Sequence, residues 1–245
     1  MNYNWNWSIF WELSPDASGT YIQTLFYGLG WTLATALTAW VLALGIGILV
    51  GTMRTTPVRW LVMTGNAFTE LFRNIPLLVQ MFLWFFVVPE LLPTAMGDWV
   101  KQLPNASFWT AVVALALFTA ARVAEQVRAG IQSLPRGQMA AGTALGLTMP
   151  QTYRYVVLPV AMRVVLPPLT SEFLNIIKNS SVALTIGLME LTARTRAMQE
   201  FSFQVFEAFT AATLIYLAVN GLVVLGMRWV ESWLAVPGLM GGKAR

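Results

Sequence analysis

Five stretches of this chain, at about 24–51, 58–89, 108–127, 164–188 and 206–227, are long and apolar enough to cross a bilayer. About 20 apolar residues span the hydrocarbon. Water is absent there, so the backbone must satisfy its own hydrogen bonds, and segments of this length do so as helices. The chain is therefore expected to be an all-α membrane protein with five transmembrane helices. No internal repeat or low-complexity linker divides it, which reads as a single domain, 1–245. Composition agrees: 57% of the 245 residues are hydrophobic and only 11% are charged. Soluble domains carry roughly 25% charge.

Details of these stretches suggest how they bend and where they are anchored. The second is longer than one crossing needs and contains Pro76. Proline removes a helix hydrogen bond and bends the axis, so an interfacial or tilted first half and a broken span are expected. Pro167-Pro168 reads as shaping the start of the fourth span. Trp5, Trp7 and Trp11 suit the interface, and Met1 to Ser14 does not read as a secretory signal peptide. Pro237-Gly238 and Gly241-Gly242 read as a short tail with little regular structure.

The residue inventory removes several chemistries. There is no cysteine and no histidine, so disulfides, thiolate or histidine metal sites and serine–histidine catalysis are excluded. No Gly-x-x-x-x-Gly-Lys loop is present, so the chain is not expected to hydrolyse ATP or to bind a cofactor itself. The net charge of +4 is scattered, without the basic run that grips nucleic acid.

Charge does report topology. With the N-terminus outside, the inner loops and tail hold Arg54, Arg59, Arg128, Arg136, Arg154, Arg163, Arg228, Lys243 and Arg245. The outer loops hold Lys101, Arg194 and Arg196 beside Glu90, Asp98, Glu190 and Glu200. This is the positive-inside bias, and it places the C-terminus and the stretch 137–159 in the cytoplasm.

That stretch reads GQMAAGTALGLTMPQTYRYVVLP. A run of small residues suits a short helix pressed against a partner, and Gly146 permits a turn that a Cβ would resist. The pattern resembles the "EAA" loop by which permeases of ABC importers engage their cytoplasmic ATPase. Ala141 and Gly142 stand at its two alanines, Gly146 at its glycine, Val156 at its isoleucine and Leu158-Pro159 at its closing pair. The glutamate that usually opens it is Ala140 here. The resemblance implies a coupling loop at about 134–163, with Ala140, Ala141, Gly142, Gly146, Leu158 and Pro159 as its candidate contacts.

Ionisable residues in or near the spans are the remaining signal: Arg73, Arg122, Glu125, Glu172 and Lys178. Such groups are costly in lipid and turn towards a bundle interior or a wet cavity. Arg122 and Glu125, three apart, share a helix face, either as a structural ion pair or as part of a substrate site. Arg73 precedes Asn74-Ile75-Pro76, where a broken helix frees polar backbone groups, or else it snorkels to the inner interface. Lys178-Asn179-Ser180-Ser181 either lines a pathway or bonds neighbouring helices. The candidate substrate residues are thus Arg73, Arg122, Glu125, Lys178, Asn179 and Ser180.

Glu70-Leu71-Phe72-Arg73-Asn74-Ile75-Pro76-Leu77-Leu78-Val79-Gln80 is similar to the second-span signature of polar amino-acid ABC permeases. Ala124-Glu125-Gln126-Val127-Arg128-Ala129-Gly130-Ile131 is similar to their third-span signature, and Lys178-Asn179-Ser180-Ser181 to their fourth-span motif. The likeness covers essentially the whole chain, from the Asn4-Trp5-Asn6-Trp7 start to the end at 238–243, and runs closest to the glutamate/aspartate importer permeases. It implies the type I ABC importer permease fold in a bacterial inner membrane. It also implies a homo- or heterodimer with a second permease, two ATP-binding subunits that hold ATP and magnesium, and a periplasmic substrate-binding protein. Membrane lipid is a further expected partner, and nucleic acid is not. Arginine at 122, often tyrosine in the wider group, resembles the acidic-substrate branch, and a buried cation suits a side-chain carboxylate. The rival readings are a membrane channel, or a scaffold subunit that docks an ATPase without a substrate site of its own.

Overall fold

The structure, a computed structural model, describes residues 3–15 and 19–234. The expected glycine-rich tail, with Lys243 and Arg245, lies outside the described residues. Among the described residues there is no strand; Leu13 and Thr20 form one isolated bridge. The helices are α1 (Tyr21–Met53), α2 (Arg59–Asn74), α3 (Leu77–Leu91), α4 (Thr94–Lys101), α5 (Ala106–Gln132), α6 (Arg136–Ala144), α7 (Met149–Ile186), α8 (Leu191–Ser202) and α9 (Val205–Leu234).

Of these, α1, α5, α7 and α9 are long and apolar enough to span a membrane, although α9 ends its qualifying stretch at Trp233. The bent pair α2 and α3 makes a fifth span if its halves are taken together. The break falls at Ile75-Pro76, as proline dictates. Helix α2 is amphipathic, burying Gly65 and Thr69 on one side while Trp60 and Met63 are exposed. The fourth stretch differs from expectation. Helix α7 begins well before residue 164 and changes type along its length: α over Met149–Thr152, π over Tyr153–Val157, α over Leu158–Asn179 and 3-10 over Ser180–Ile186. Pro167 and Pro168 lie inside its α stretch rather than at its start. A long apolar helix tolerates prolines where neighbouring helices, hydroxyl side chains or small local adjustments meet the freed backbone groups.

The chain forms two compact units, each built from three segments. The first comprises Met1–Val41, Ile75–Ala116 and Asn175–Leu222. Its core gathers Ile9, Tyr21, Leu25, Leu191, Met198 and Ala208. Glu190 caps α8, accepting from Thr192 N at 2.9 Å and Ala193 N at 2.8 Å. The hydroxyls of Thr32 and Tyr216 also donate to this fully buried carboxylate.

The second unit comprises Leu42–Asn74, Leu117–Leu174 and Val223–Arg245. Here helices approach closely through glycine. A Cβ on Gly47 would stand 2.5 Å from Val123 Cγ1, and one on Gly51 would stand 2.7 Å from the Ala124 carbonyl. Small residues allow such contact where lipid offers no hydrophobic drive between helices. This close packing of α1 on α5 fixes the helix face that carries Arg122 and Glu125.

Candidate substrate cavity and coupling loop

Helix α5 carries Arg122, Glu125 and Gln126 at the three- and four-residue spacing that shares a face. Arg73 lies in the last turn of α2, and Glu172 on the α stretch of α7. These five side chains line one polar cavity of about 280 Å³ within the second unit.

Their pairing differs from the Arg122–Glu125 ion pair that the sequence left open. Glu125 Oε2 accepts from Arg54 Nη1 at 2.7 Å, and its other oxygen accepts from Arg128 Nη2. Arg73 Nη1 stands 3.6 Å from the same Oε2. Arg54 is also held by Asn66 Oδ1, at 2.8 Å from its Nε. Arg122 turns instead to Glu172 Oε1, 3.9 Å away, and lies over the Phe118 ring at 4.9 Å. Gln126 Nε2 donates to that same Glu172 oxygen at 3.2 Å, while the buried Gln126 Oε1 has no hydrogen-bond partner among the described residues.

Exposure separates the charges by role. The Arg73 and Arg122 side chains are 50% and 45% exposed, whereas Arg54 and Glu172 are each 10% exposed. Two cations therefore face the cavity with their hydrogen-bonding capacity unspent. Glu125 is largely committed to Arg54 and Arg128. Glu172 is the carboxylate with acceptor capacity left for a ligand.

Lys178, Asn179 and Ser180 belong to the first unit and do not line this cavity. They stand where α7 passes from α to 3-10 geometry. Lys178 is exposed, Asn179 half-buried and Ser180 buried, its hydroxyl donating to Ile177 C=O at 2.8 Å. The Ser181 hydroxyl bonds Lys178 C=O at 2.7 Å.

The loop at 134–163 contains the expected short helix, α6. Gly146 adopts φ of +75°, and its N–H donates to Thr143 C=O while Leu147 N donates to Gly142 C=O. Such a left-handed turn closes a helix, and glycine enters it without strain. Gly142 is buried: a Cβ there would stand 2.6 Å from Thr152 Cγ2. Ala140 and Ala141 are exposed. Ala140 joins Arg54, Thr55, Met149 and Tyr153 around a second cavity of about 640 Å³. Leu158 and Pro159 open the long α stretch of α7. Tyr153, just before them, is buried, and its hydroxyl donates to Thr55 C=O at 2.7 Å.

Sequence reasoning missed Arg54, Gln126 and Tyr153, and named Glu172 only as a charge in a span. Arg54 reads as a topogenic loop charge. Nothing local in the sequence shows that it reaches Glu125.

Residues 43–236 match the family described as binding-protein-dependent transport system inner membrane component. The chain belongs to that family. All the candidate residues, from Arg54 to Ser180, lie inside the match. The chain is 48% identical over 246 residues to the glutamate/aspartate import permease protein GltJ of Escherichia coli K12, covering 99% of this chain and all of that protein. It is 35% identical to a probable amino-acid ABC transporter permease protein, PatM of Vibrio harveyi, over 83% of this chain and 88% of that one. Among solved structures, an amino acid ABC transporter with histidines superposes with a TM-score of 0.73 at 28% identity, over 86% of this chain and 94% of that one. The inward-facing MetNI methionine transporter shares the fold, with a TM-score of 0.67 at 17% identity over 88% and 96% of the two chains. The chain is thus an inner-membrane transport subunit with the fold of ABC importer permeases, not an enzyme.

Proposed function

We propose that this permease carries glutamate and aspartate inward as part of an ABC importer. Membership of the amino-acid ABC permeases stands on family and full-length likeness. The observation that carries the acidic substrate is the 48% identity to a glutamate/aspartate import permease across the whole chain. The cavity chemistry supports it. An acidic amino acid brings two carboxylates and one ammonium, and the cavity offers Arg73 and Arg122 beside Glu172. Arg122 binds the side-chain carboxylate in a two-pronged fashion, which lysine could not imitate. Glu172 receives the ammonium, because Glu125 is already held by Arg54 and Arg128. Lys178, Asn179 and Ser180 are further candidates for the substrate route.

In this reading the chain acts as one permease domain with its N-terminus outside. The loop at 134–163 seats in a cytoplasmic ATPase, and ATP closure there drives the spans between inward and outward access. A second permease, the same or different, completes the pathway, two ATPase subunits power it, and a binding protein delivers substrate.

Reconstitution in proteoliposomes with its ATPase and binding protein tests this. Glutamate and aspartate are expected to stimulate ATP hydrolysis and to be taken up only when ATP is present. Stimulation by basic or neutral amino acids and not by acidic ones would overturn the substrate assignment.

A further inference from the structure

We propose that Tyr153 is a positioning residue that ties the coupling loop to Arg54, and that Arg54 and Arg73 exchange on one oxygen of Glu125 as the loop moves. The inference rests on the reading of 134–163 as the ATPase contact.

The connection is continuous within one compact unit. Helix α6 packs so closely through Gly142 on Thr152 that an added Cβ would stand 2.6 Å from Thr152 Cγ2, so a shift of α6 towards α7 bears on that residue. The next residue, Tyr153, opens the π stretch of α7 and is 6% exposed. Insertions of π geometry into helices frequently mark functional positions. Its hydroxyl donates to Thr55 C=O at 2.7 Å and lies 3.2 Å from Thr55 Oγ1. Thr55 sits in the turn after α1, next to Arg54. From that turn Arg54 reaches Glu125 Oε2 at 2.7 Å.

The oxygen at the end of this chain has a second suitor. Arg73 Nη1, at 3.6 Å from the same Oε2, is too distant for a hydrogen bond but close enough for strong attraction. Arg73 also lines the substrate cavity and is half exposed. While Arg54 holds Glu125, Arg73 offers its charge to a ligand. When the loop draws the Thr55 turn and Arg54 away, Glu125 closes on Arg73 and neutralises that charge within the cavity. Loop position thus sets the affinity of the cavity for an anion. By linkage, an anion on Arg73 biases the loop in return.

The chain contains no native cysteine, which permits a direct test. Gln126→Cys places one thiol in the cavity. Its alkylation by a small maleimide is followed in the complex with the ATPase, with and without ATP plus vanadate, and no amino acid is added. Nucleotide is expected to change the rate several-fold. Adding Tyr153→Phe, which keeps the buried ring and removes one hydroxyl, is expected to abolish most of that change while the ATPase still co-purifies. Substrate taken up per ATP hydrolysed is expected to fall several-fold in Tyr153→Phe alone. A nucleotide response that survives Tyr153→Phe, or that is absent in both backgrounds, would overturn the proposal. Loss of ATPase binding would also overturn it, by assigning the hydroxyl to assembly. The labelling needs no substrate, so it stands or falls separately from the glutamate/aspartate assignment.

Discussion

Arg122 is paired with Glu172 across the cavity, 3.9 Å away, rather than with Glu125 one turn along its own helix. The reason is competition. Arg54 and Arg128 already hold both oxygens of Glu125, and Glu172 also accepts from Gln126. The contact is too long to be a hydrogen bond and one partner is half exposed, so it contributes little to stability. Glu172→Gln is therefore expected to lower stability by less than about 1 kcal/mol. If Glu172 receives the substrate ammonium, uptake falls by about tenfold or more, since a hydrogen bond to a charged group contributes roughly 1.5–3 kcal/mol. Thermal unfolding in detergent beside transport normalised to folded protein reads both. Unchanged uptake would remove Glu172 from the site.

Gly142 and Gly146 fail on substitution for different reasons. At Gly146 there is open space for a Cβ, and only the backbone conformation forbids it. Gly146→Asn is expected to retain ATPase binding and coupled uptake, because asparagine tolerates left-handed geometry. Gly146→Val is expected to insert in the membrane but to lose one or both. At Gly142 the backbone is ordinary and the obstacle is Thr152. Gly142→Val is expected to uncouple, and adding Thr152→Ala to restore part of the coupling. Equal behaviour of the two Gly146 variants would show that the turn does not matter.

These cases show what the chain discloses by itself. Spans, the break at Pro76 and the turn at Gly146 are local matters of apolar length and backbone freedom, and they were legible. So was the short helix over Gly142. The pairing of charges was not. Arg122 and Glu125 share a helix face, but their partners arrive from α7 and from the turn after α1, which only tertiary packing decides. Pro167-Pro168 misled because a proline pair usually marks a helix start, and here both lie inside the α stretch of α7.

Lys178 is an exposed cation where α7 changes helix type. Lys178→Met is expected to leave the fold intact, because the neighbouring serines bond backbone and not the lysine side chain. Uptake per folded molecule is nevertheless expected to fall. If the variant unfolds while its surviving fraction transports normally, the lysine is structural.

Glu190 gives a pH prediction. It lies in the loop between α7 and α8, and burial pushes its carboxyl above the ordinary value of 4.5, against the hydrogen bonds it accepts. A raised folded-state value means that protonation favours the folded form. Its contribution is complete below the ordinary value and is lost as pH rises through the folded one. Wild type is therefore expected to lose stability relative to Glu190→Gln as pH rises from about 4.5. Melting temperatures of both proteins across that range read the difference, and a pH-independent gap would contradict it.

The most direct test of the transport assignment is competitive uptake by Arg122→Gln in the reconstituted complex with its ATPase and binding protein. The substitution keeps hydrogen-bond donors and removes the charge. The expected result is a loss of glutamate and aspartate uptake of about tenfold or more, from a charge-assisted bond of roughly 1.5–3 kcal/mol, with a much smaller loss for glutamine and asparagine where these are carried. An equal loss for acidic and amide substrates would contradict the assignment. Arg122 would then serve to hold its helix against Glu172, and selectivity would lie with the binding protein.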